Sequence, residues 1–108
     1  MDLFGDTLRG HTDAIILSIL LEGDSYGYLI NQIISKRTDE KFILTEATLY
    51  TAFKRLEAAY FIVSYWTDGT NQVKRKYYSI TESGRKYFNE KRQTFIETTQ
   101  ILDTFYKK

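Results

Sequence analysis

The amino-acid sequence predicts a mostly helical α+β fold in which three helices, a β-hairpin and one long helix follow one another. Three observations predict this order. Apolar residues recur at helical spacing in three segments between residues 12 and 59. After Tyr60 the period shortens to two on both sides of a polar turn. After Thr81 the helical period returns and continues to about Tyr106.

Two helices are predicted in the first forty residues. The first spans residues 12–22, with Thr12 as its N-cap and Gly23 just after its end. The second begins at Ser25, its expected N-cap, and ends near Arg37, whose charge suits a helix C-terminus. The apolar stripes of the two helices are Ile15, Ile16, Ile19 and Leu20, and Tyr26, Leu29, Ile30, Ile33 and Ile34.

The third predicted helix runs from Thr45 to about Ala59 and has two unlike faces. The apolar face consists of Leu49, Ala52, Phe53 and Leu56. The other side carries Thr48, Thr51, Lys54 and Arg55. Hydroxyls and cations are the groups that hydrogen-bond phosphates and base edges, so this face is a candidate nucleic-acid contact.

A hairpin with a basic returning strand follows the third helix. Its strands alternate around a polar turn at residues 68–71, where Gly69 or Asn71 can take a positive φ, and the second strand spans Val73 to Ile80. The tip and the returning strand carry Lys74, Arg75 and Lys76.

The last predicted helix is long and has an apolar stripe that the chain itself cannot cover. Thr81 is its expected N-cap, and Glu82 lies at the positive end of its dipole. The residues expected at a dimer interface are Phe88, Phe95, Ile101, Leu102 and Phe105. A helix of about 25 residues cannot lie along its whole length on so small a body, and a second copy of the chain would cover the stripe.

Composition excludes several classes of function. The 108 residues include no Cys and one His, His11, which excludes disulfides, thiolate metal sites and cysteine nucleophiles and disfavours zinc sites. We expect no cofactor, no metal and no catalytic constellation, and His11 is interpreted as a surface or interface residue. No apolar run is long enough to span a membrane. The first residues lack the positive charge of a secretory signal, so we expect a cytoplasmic protein.

The distribution of charge favours DNA as a partner. Residues 45–86 carry seven basic and four acidic residues, whereas residues 1–44 carry four basic and seven acidic ones. Three helices and a hairpin follow the order of a winged helix-turn-helix, in which the third helix enters the major groove and the hairpin, or wing, contacts phosphates or the minor groove. Singly, each basic residue fits an ordinary solvated surface; together, on this order of elements, they predict DNA binding.

Five segments resemble the PadR family of transcriptional regulators and occur in the family's order. They are Leu-Arg-Gly at 8–10, Gly-Asp-Ser-Tyr-Gly-Tyr at 23–28, Thr-Glu-Ala-Thr-Leu-Tyr-Thr-Ala-Phe-Lys-Arg-Leu-Glu at 45–57, Ser-Tyr-Trp at 64–66 and Arg-Lys-Tyr-Tyr-Ser-Ile-Thr-Glu-Ser-Gly at 75–84. The 45–57 segment resembles the family's recognition helix. The chain departs from the family at Thr51, where many relatives have Pro, and in the wing, where Gly69 alone remains.

The resemblance implies a homodimeric repressor of the short, multidrug-responsive type, released by a small-molecule or stress signal. Residues 1–80 would form the winged-helix DNA-binding domain, with its N-terminal helix, and residues 81–108 the dimerisation helix. The partner would be double-stranded DNA with an inverted-repeat operator. The implied DNA contacts are Tyr26, Thr45, Glu46, Thr48, Tyr50, Thr51, Lys54, Arg55, Thr70, Asn71, Lys74, Arg75 and Lys76.

Several tyrosines have two interpretations. Tyr50 either joins the core beside Phe53 or meets the DNA backbone through its hydroxyl, as the family pattern implies. Of Tyr26 and Tyr28, one packs and the other reaches a phosphate near a helix N-terminus. Tyr77 and Tyr78 point to opposite faces of their strand, so at most one of them lies in the core on a given side.

Resemblance to the short members also implies a pocket at the dimer centre. Its walls would include Thr7, Ala14 and Ser18 on one side and Phe95 and Thr99 on the other. Phe95 can stack a planar aromatic effector, and Thr99 supplies no charge, which weakens any preference for cationic drugs. Alternatively, Phe95 and its symmetry mate fill the centre.

Two other classes of function compete with an operator-binding repressor. A protein-interaction module would use the winged helix and the last helix only to pair with proteins, but the basic recognition face argues against it. An enzyme lacks any supporting constellation of residues.

Overall fold

The observed fold has the predicted order of helices, hairpin and long helix, and it begins with one additional short helix. A computed structural model of the chain describes residues 3–69, 71 and 73–107. The elements are α1 (Leu3–Arg9), α2 (Thr12–Leu20), α3 (Gly27–Arg37), α4 (Glu46–Ala58), β1 (Ile62–Asp68), β2 (Lys74–Ile80) and α5 (Glu82–Tyr106). The predicted mostly helical α+β fold class is confirmed. Within the described ranges, no helix is both long and apolar enough to cross a membrane.

Helix α1 could not be predicted from periodicity, because seven residues make only two turns. The N–H of His11 donates to the carbonyl of Leu8 at 2.9 Å and closes this helix. The hydroxyl of Thr12 donates to the carbonyl of Arg9 at 2.7 Å. The prediction that Thr12 is the N-cap of α2 is therefore wrong, because Thr12 is the first residue of this helix. His11 holds the N-cap position and makes no side-chain capping hydrogen bond.

Ser25 does not cap the next helix as expected, because its backbone pairs with the hairpin. Its N–H donates to the carbonyl of Tyr78 at 3.2 Å, and the N–H of Tyr78 donates to the carbonyl of Ser25 at 2.8 Å. Helix α3 starts two residues later, with Tyr26 at the N-cap position. A tertiary backbone contact thus overrides the local capping preference of a serine.

The core lies between α2, α3, α4 and the hairpin. Its largest fully buried side chain is that of Phe53, which stacks on Tyr78 with ring centroids 3.9 Å apart. The other buried apolar residues are Ile16, Leu17, Ile19, Leu20, Ile30, Ile34, Phe42, Leu44, Leu49, Ala52, Leu56, Ile62 and Ile80. The apolar face predicted for α4 is entirely within this set, so the opposite face of α4 is directed to solvent.

The two strands form an antiparallel hairpin whose register runs from Ile62 opposite Ile80 to Asp68 opposite Lys74. The N–H of Gly69 donates to the carbonyl of Val73 at 2.6 Å and closes the base of the turn. The sequence predicted a positive φ at Gly69 or Asn71, and it is Asn71 that has one, with a φ of 60° in the left-handed region.

Helix α5 begins at the predicted cap and then leaves the body of the molecule. The N–H of Gly84 donates to the hydroxyl of Thr81 at 3.0 Å. Gly84 is buried so close to Phe61 that a Cβ there would collide with the Phe61 carbonyl oxygen. Phe61 also stacks on Tyr87, with centroids 4.2 Å apart. Beyond Phe88, residues 89–102 are all exposed, so the side chains of α5 that pack against the core lie in its first two turns.

The side chain of Asn31 fixes the segment that leads into α4. Its amide nitrogen donates to the carbonyl of Leu44 at 2.7 Å, and its amide oxygen accepts from the N–H of Leu44 at 3.0 Å. Leu44 is buried, so both backbone groups depend on this one side chain. Asn31 therefore sets where α4 begins relative to α3.

Replacing Asn31 with Ala should lower the free energy of unfolding by about 1–3 kcal/mol, because two buried backbone groups of Leu44 lose their partner. Denaturation by urea measures the change. The control is Gln32→Ala on the neighbouring exposed residue, which should change the free energy by less than about 0.5 kcal/mol. Equal losses for the two variants would contradict this role of Asn31.

Candidate nucleic-acid interface

The outer face of α4 presents polar side chains to solvent. Tyr50, Thr51 and Lys54 are exposed and Thr48 is half-buried. Thr45 is the N-cap: its hydroxyl accepts from the N–H of Thr48 at 3.1 Å and donates to the Thr48 hydroxyl at 2.9 Å. Glu46 is exposed in the first turn, where its charge suits the helix dipole. The face is therefore rigidly held at its N-terminal end and open along its length.

Tyr50 is not part of the core. Its side chain is 53% exposed, and its ring meets that of Phe53 in a T-shaped arrangement, with centroids 6.2 Å apart. Of the two interpretations of Tyr50, core packing is therefore excluded, and its exposed side chain is free to contact the DNA backbone.

The wing presents its charges unevenly. Lys74 and Arg75 are exposed, as is Asn71 at the tip. Lys76 is half-buried; its ammonium lies 3.6 Å from Oε1 of Glu57 and 5.5 Å from the centre of the Tyr78 ring. Lys76 thus ties the hairpin to α4. Thr70, the remaining predicted wing contact, lies outside the described residues.

A group of aromatic rings fixes the wing against the turn before α3. The half-buried ring of Tyr26 lies 5.1 Å from that of Tyr77, and the guanidinium of Arg75 lies 4.8 Å from the centre of Tyr26. The hydroxyl of Tyr65 donates to the carboxylate of Asp24 at 2.6 Å, and this hydrogen bond raises the pKa of Tyr65 above its ordinary value.

The remaining tyrosines divide between core and surface. Tyr28 is exposed, and its hydroxyl accepts from the amide of Gln32 at 2.9 Å. Of the two tyrosines near the start of α3, Tyr26 is therefore the one that packs. Tyr78 is buried, as expected for at most one of its pair, and Tyr77 is half-buried on the other side of the strand. Sequence reasoning did not single out Asp24 or Tyr65, because residues 41 positions apart give no local signal of pairing.

Arg55 lies at the edge of the outer face of α4 and binds Asp13 of α2. Its Nε donates to Oδ2 of Asp13 at 3.1 Å, and its Nη2 donates to Oδ1. The hydrogen bond to Asp13 raises the pKa of Arg55. Each partner also suits its helix dipole, since Asp13 is in the first turn of α2 and Arg55 in the last turn of α4.

A groove of about 740 Å³ lies between α1, α2 and α5. Four of the five residues predicted for the effector pocket line it, namely Thr7, Ala14, Ser18 and Phe95. Thr99 is not in the lining, whereas Thr98 is. The lining is basic: it contains Arg9, Arg55, Lys91 and Arg92 against the single acid Asp13. His11 packs edge-on against Phe95 with centroids 5.7 Å apart, and among the residues described no cluster of acids and histidine could hold a metal ion.

The apolar stripe of α5 is open to solvent except at its start. Phe88 is half-buried and packs partly against the core of its own chain. Phe95, Ile101, Leu102 and Phe105 are between 45% and 66% exposed. Of the five predicted interface residues, only Phe88 packs against the core of its own chain, and the other four are largely exposed.

Comparisons with known proteins agree with this architecture. A sequence profile of the transcriptional regulator PadR-like family matches residues 16–90. A transcriptional regulator from Clostridium thermocellum is 44% identical, with a TM-score of 0.86, over 94% of this chain and 95% of that one. A PadR family transcription regulator from Clostridium difficile is 33% identical, with a TM-score of 0.74, over 88% of this chain and 97% of that one.

Bacillus subtilis PadR, solved in complex with operator DNA, shares the fold. It is 23% identical, with a TM-score of 0.65, over 72% of this chain and 44% of that one.

Proposed function

This chain belongs to the PadR-like family of transcriptional regulators, and on that premise we propose that it is a sequence-specific DNA-binding repressor. It acts as a homodimer on an inverted-repeat operator and is released by a small-molecule or stress signal. A regulator of transcription works where the DNA is, so the proposed location is the cytoplasm. The observation that carries the proposal is the outer face of α4, which is polar and exposed while the opposite face is fully buried.

The proposed DNA surface combines α4 with the wing. Thr48, Thr51 and Lys54 contact base edges in the major groove, flanked by Thr45, Glu46 and Tyr50. Lys74, Arg75 and the hairpin tip, with Thr70 and Asn71, contact phosphates. Arg55 and Lys76 lie at the borders of this surface, where they form ion pairs with Asp13 and Glu57, respectively. Of the two tyrosines near the start of α3, the exposed Tyr28 fits a phosphate contact better than the half-buried Tyr26. The operator complex of Bacillus subtilis PadR supports DNA as the partner class.

Selection from a pool of random duplexes should enrich an inverted repeat with half-sites about one helical turn, roughly 34 Å, apart, because a dimer presents two copies of α4. Thr51→Ala and Lys54→Ala should change the enriched sequence. Lys74→Ala with Arg75→Ala should leave the enriched sequence unchanged but lower the slope of log affinity against log salt by about 2 per bound protomer, or about 4 for the dimer. The reason is that about one counterion per lost phosphate contact is no longer released.

The control for the wing variant is Lys36→Ala with Lys41→Ala, which removes the same charge from exposed positions at and just after the end of α3. It should keep the wild-type slope. No enrichment of any duplex would favour the protein-interaction module instead, and an enriched sequence without two-fold symmetry would contradict the dimeric operator complex.

The proposed homodimer rests on α5. Its 25 residues extend about 37 Å. Only its first turns pack against the core of the chain, while large, exposed apolar side chains continue to its end. Exposed apolar area of this extent on one helix is stabilised when a second amphipathic helix covers it. A two-fold related copy offers the same stripe to the first and so makes a closed, self-complementary contact.

Replacing Leu102 and Phe105 with Lys should convert the dimer into a monomer, because two charges would be buried at the interface without partners. Sedimentation velocity measures the change, and circular dichroism shows whether the variant stays folded. Gln100→Lys with Thr104→Lys adds the same charge about half a turn away around α5 and should leave the dimer intact. A folded, fully dimeric Leu102→Lys, Phe105→Lys variant would rule out this arrangement.

The groove between α1, α2 and α5 is the proposed effector site, with a planar aromatic molecule as its ligand. Phe95 offers a ring for stacking, and Thr7, Ala14 and Ser18 leave space opposite it. The excess of basic over acidic side chains in the lining disfavours cationic ligands. The partner copy would enclose the groove, since α5 forms both its wall and the proposed interface.

Titration calorimetry with a panel of planar aromatic compounds tests this site. Phe95→Ala should abolish the binding of any ligand found with the wild type, because the stacking surface is lost. The matched control is Tyr106→Ala, which removes an exposed aromatic ring from the far end of α5 and should leave binding unchanged. Binding that survives Phe95→Ala intact would place the effector elsewhere, and no binding by the wild type would favour a centre filled by the two Phe95 rings.

A further inference from the structure

A second, smaller depression lies where the junction of α1 and α2 meets the outer face of α4. Its volume is about 330 Å³, and it is lined by Arg9, Thr12, Ala47, Thr48, Thr51 and Arg55. The lining thus offers two guanidinium groups and three hydroxyls and no carboxylate. Groups of this kind bind anions, and the planar fork of arginine matches the oxygens of a phosphate.

The two guanidinium groups are held in place from outside the depression. Arg9 donates to the carboxylate of Asp6, and Arg55 donates through Nε and Nη2 to Asp13. A guanidinium has five N–H donors, so the bond to Asp6 leaves four on Arg9 and the two bonds to Asp13 leave three on Arg55. Neither Asp6 nor Asp13 lines the depression. The two carboxylates therefore orient the arginines and still leave N–H donors on each guanidinium for an anion in the depression.

The depression and the wing lie on opposite flanks of α4. Arg55 points to α2 through Asp13, and Glu57 points to the wing through Lys76. Residues two positions apart in an α-helix, such as Arg55 and Glu57, are separated by about 200° around its axis. These two ion pairs therefore leave α4 on opposite sides. A helix in the major groove has a phosphate backbone on each flank, because the groove is only about 12 Å wide. With the wing on one backbone, the depression faces the other.

We propose that Arg9, together with Arg55, binds a DNA backbone phosphate on the flank of α4 opposite the wing. This site rests on the proposed DNA-binding function and adds to it a residue from α1. It fixes α4 in the groove from two sides, so that the register of Thr51 and Lys54 on the base edges does not depend on the wing alone.

The test is the salt dependence of binding to the duplex that wild-type protein enriches from a random pool. Arg9→Ala should weaken binding about fivefold to tenfold at 0.1 M salt and lower the slope of log affinity against log salt by about 0.9 per bound protomer. Arg9→Lys keeps the charge and should keep the slope, with part of the affinity lost because the fork is gone.

Two further variants separate the phosphate contact from a structural role. Asp6→Asn breaks the same ion pair but keeps Arg9, so it should retain the wild-type slope. Arg37→Ala removes an arginine of similar exposure, which lies at the end of α3 and pairs with Glu22, and this variant should also retain the wild-type slope. An Arg9→Ala slope equal to that of wild type, or an equal drop in slope for Asp6→Asn, would overturn this site while leaving DNA binding intact. Wild-type protein that binds no duplex would overturn both proposals.

Discussion

The stacking of Phe53 on Tyr78 is the contact on which the rest of the structure depends. It joins the buried face of α4 to β2, with ring centroids 3.9 Å apart and both rings almost fully buried. The backbone of Tyr78 pairs with Ser25, so the same strand position also holds the turn before α3. Burial of Tyr78 also raises the pKa of its hydroxyl above the ordinary value. One strand residue thus sets the relative positions of α4, the hairpin and the start of α3, and through them the geometry of the proposed DNA surface.

Ion pairs set the charge pattern around α4 more than they stabilise the fold. Arg55 with Asp13 and Lys76 with Glu57 are partly exposed, and pairs of this kind contribute little to the free energy of unfolding. Their effect is to hold the basic groups in defined places on either flank of α4. The cations predicted to contact DNA therefore differ in their surroundings. Lys54, Lys74 and Arg75 are exposed without an ion pair in the part of the chain that the structure describes, whereas Arg55 and Lys76 each form one.

The sequence predicts best what depends on near neighbours along the chain. Thr81 caps its helix as expected, because the N–H group that it binds lies three residues ahead. Prediction from the sequence fails where the conformation or contact of a residue depends on a partner that is distant along the chain. Ser25 gives its backbone to the hairpin and so cannot begin α3, and the acceptors of Arg55 and Tyr65 lie more than 40 residues away. The sequence did not predict a DNA contact for Arg9, because α1 is too short to show a helical period and without α1 nothing brings residue 9 beside α4.

The groove and the small depression share a wall. Arg9, Thr12 and Arg55 line both of them. A ligand in the groove and a phosphate in the depression would therefore meet the same two guanidinium groups. Two binding events that draw on one set of donors are energetically coupled, and the coupling is reciprocal. An anionic group in the groove would compete with the phosphate for N–H donors, while a neutral ring stacked on Phe95 would leave those donors free. The charge of the effector would thus determine how its binding affects the DNA contacts of α4. An anionic effector would act through the shared arginines, whereas a neutral one would act only through the packing of α5.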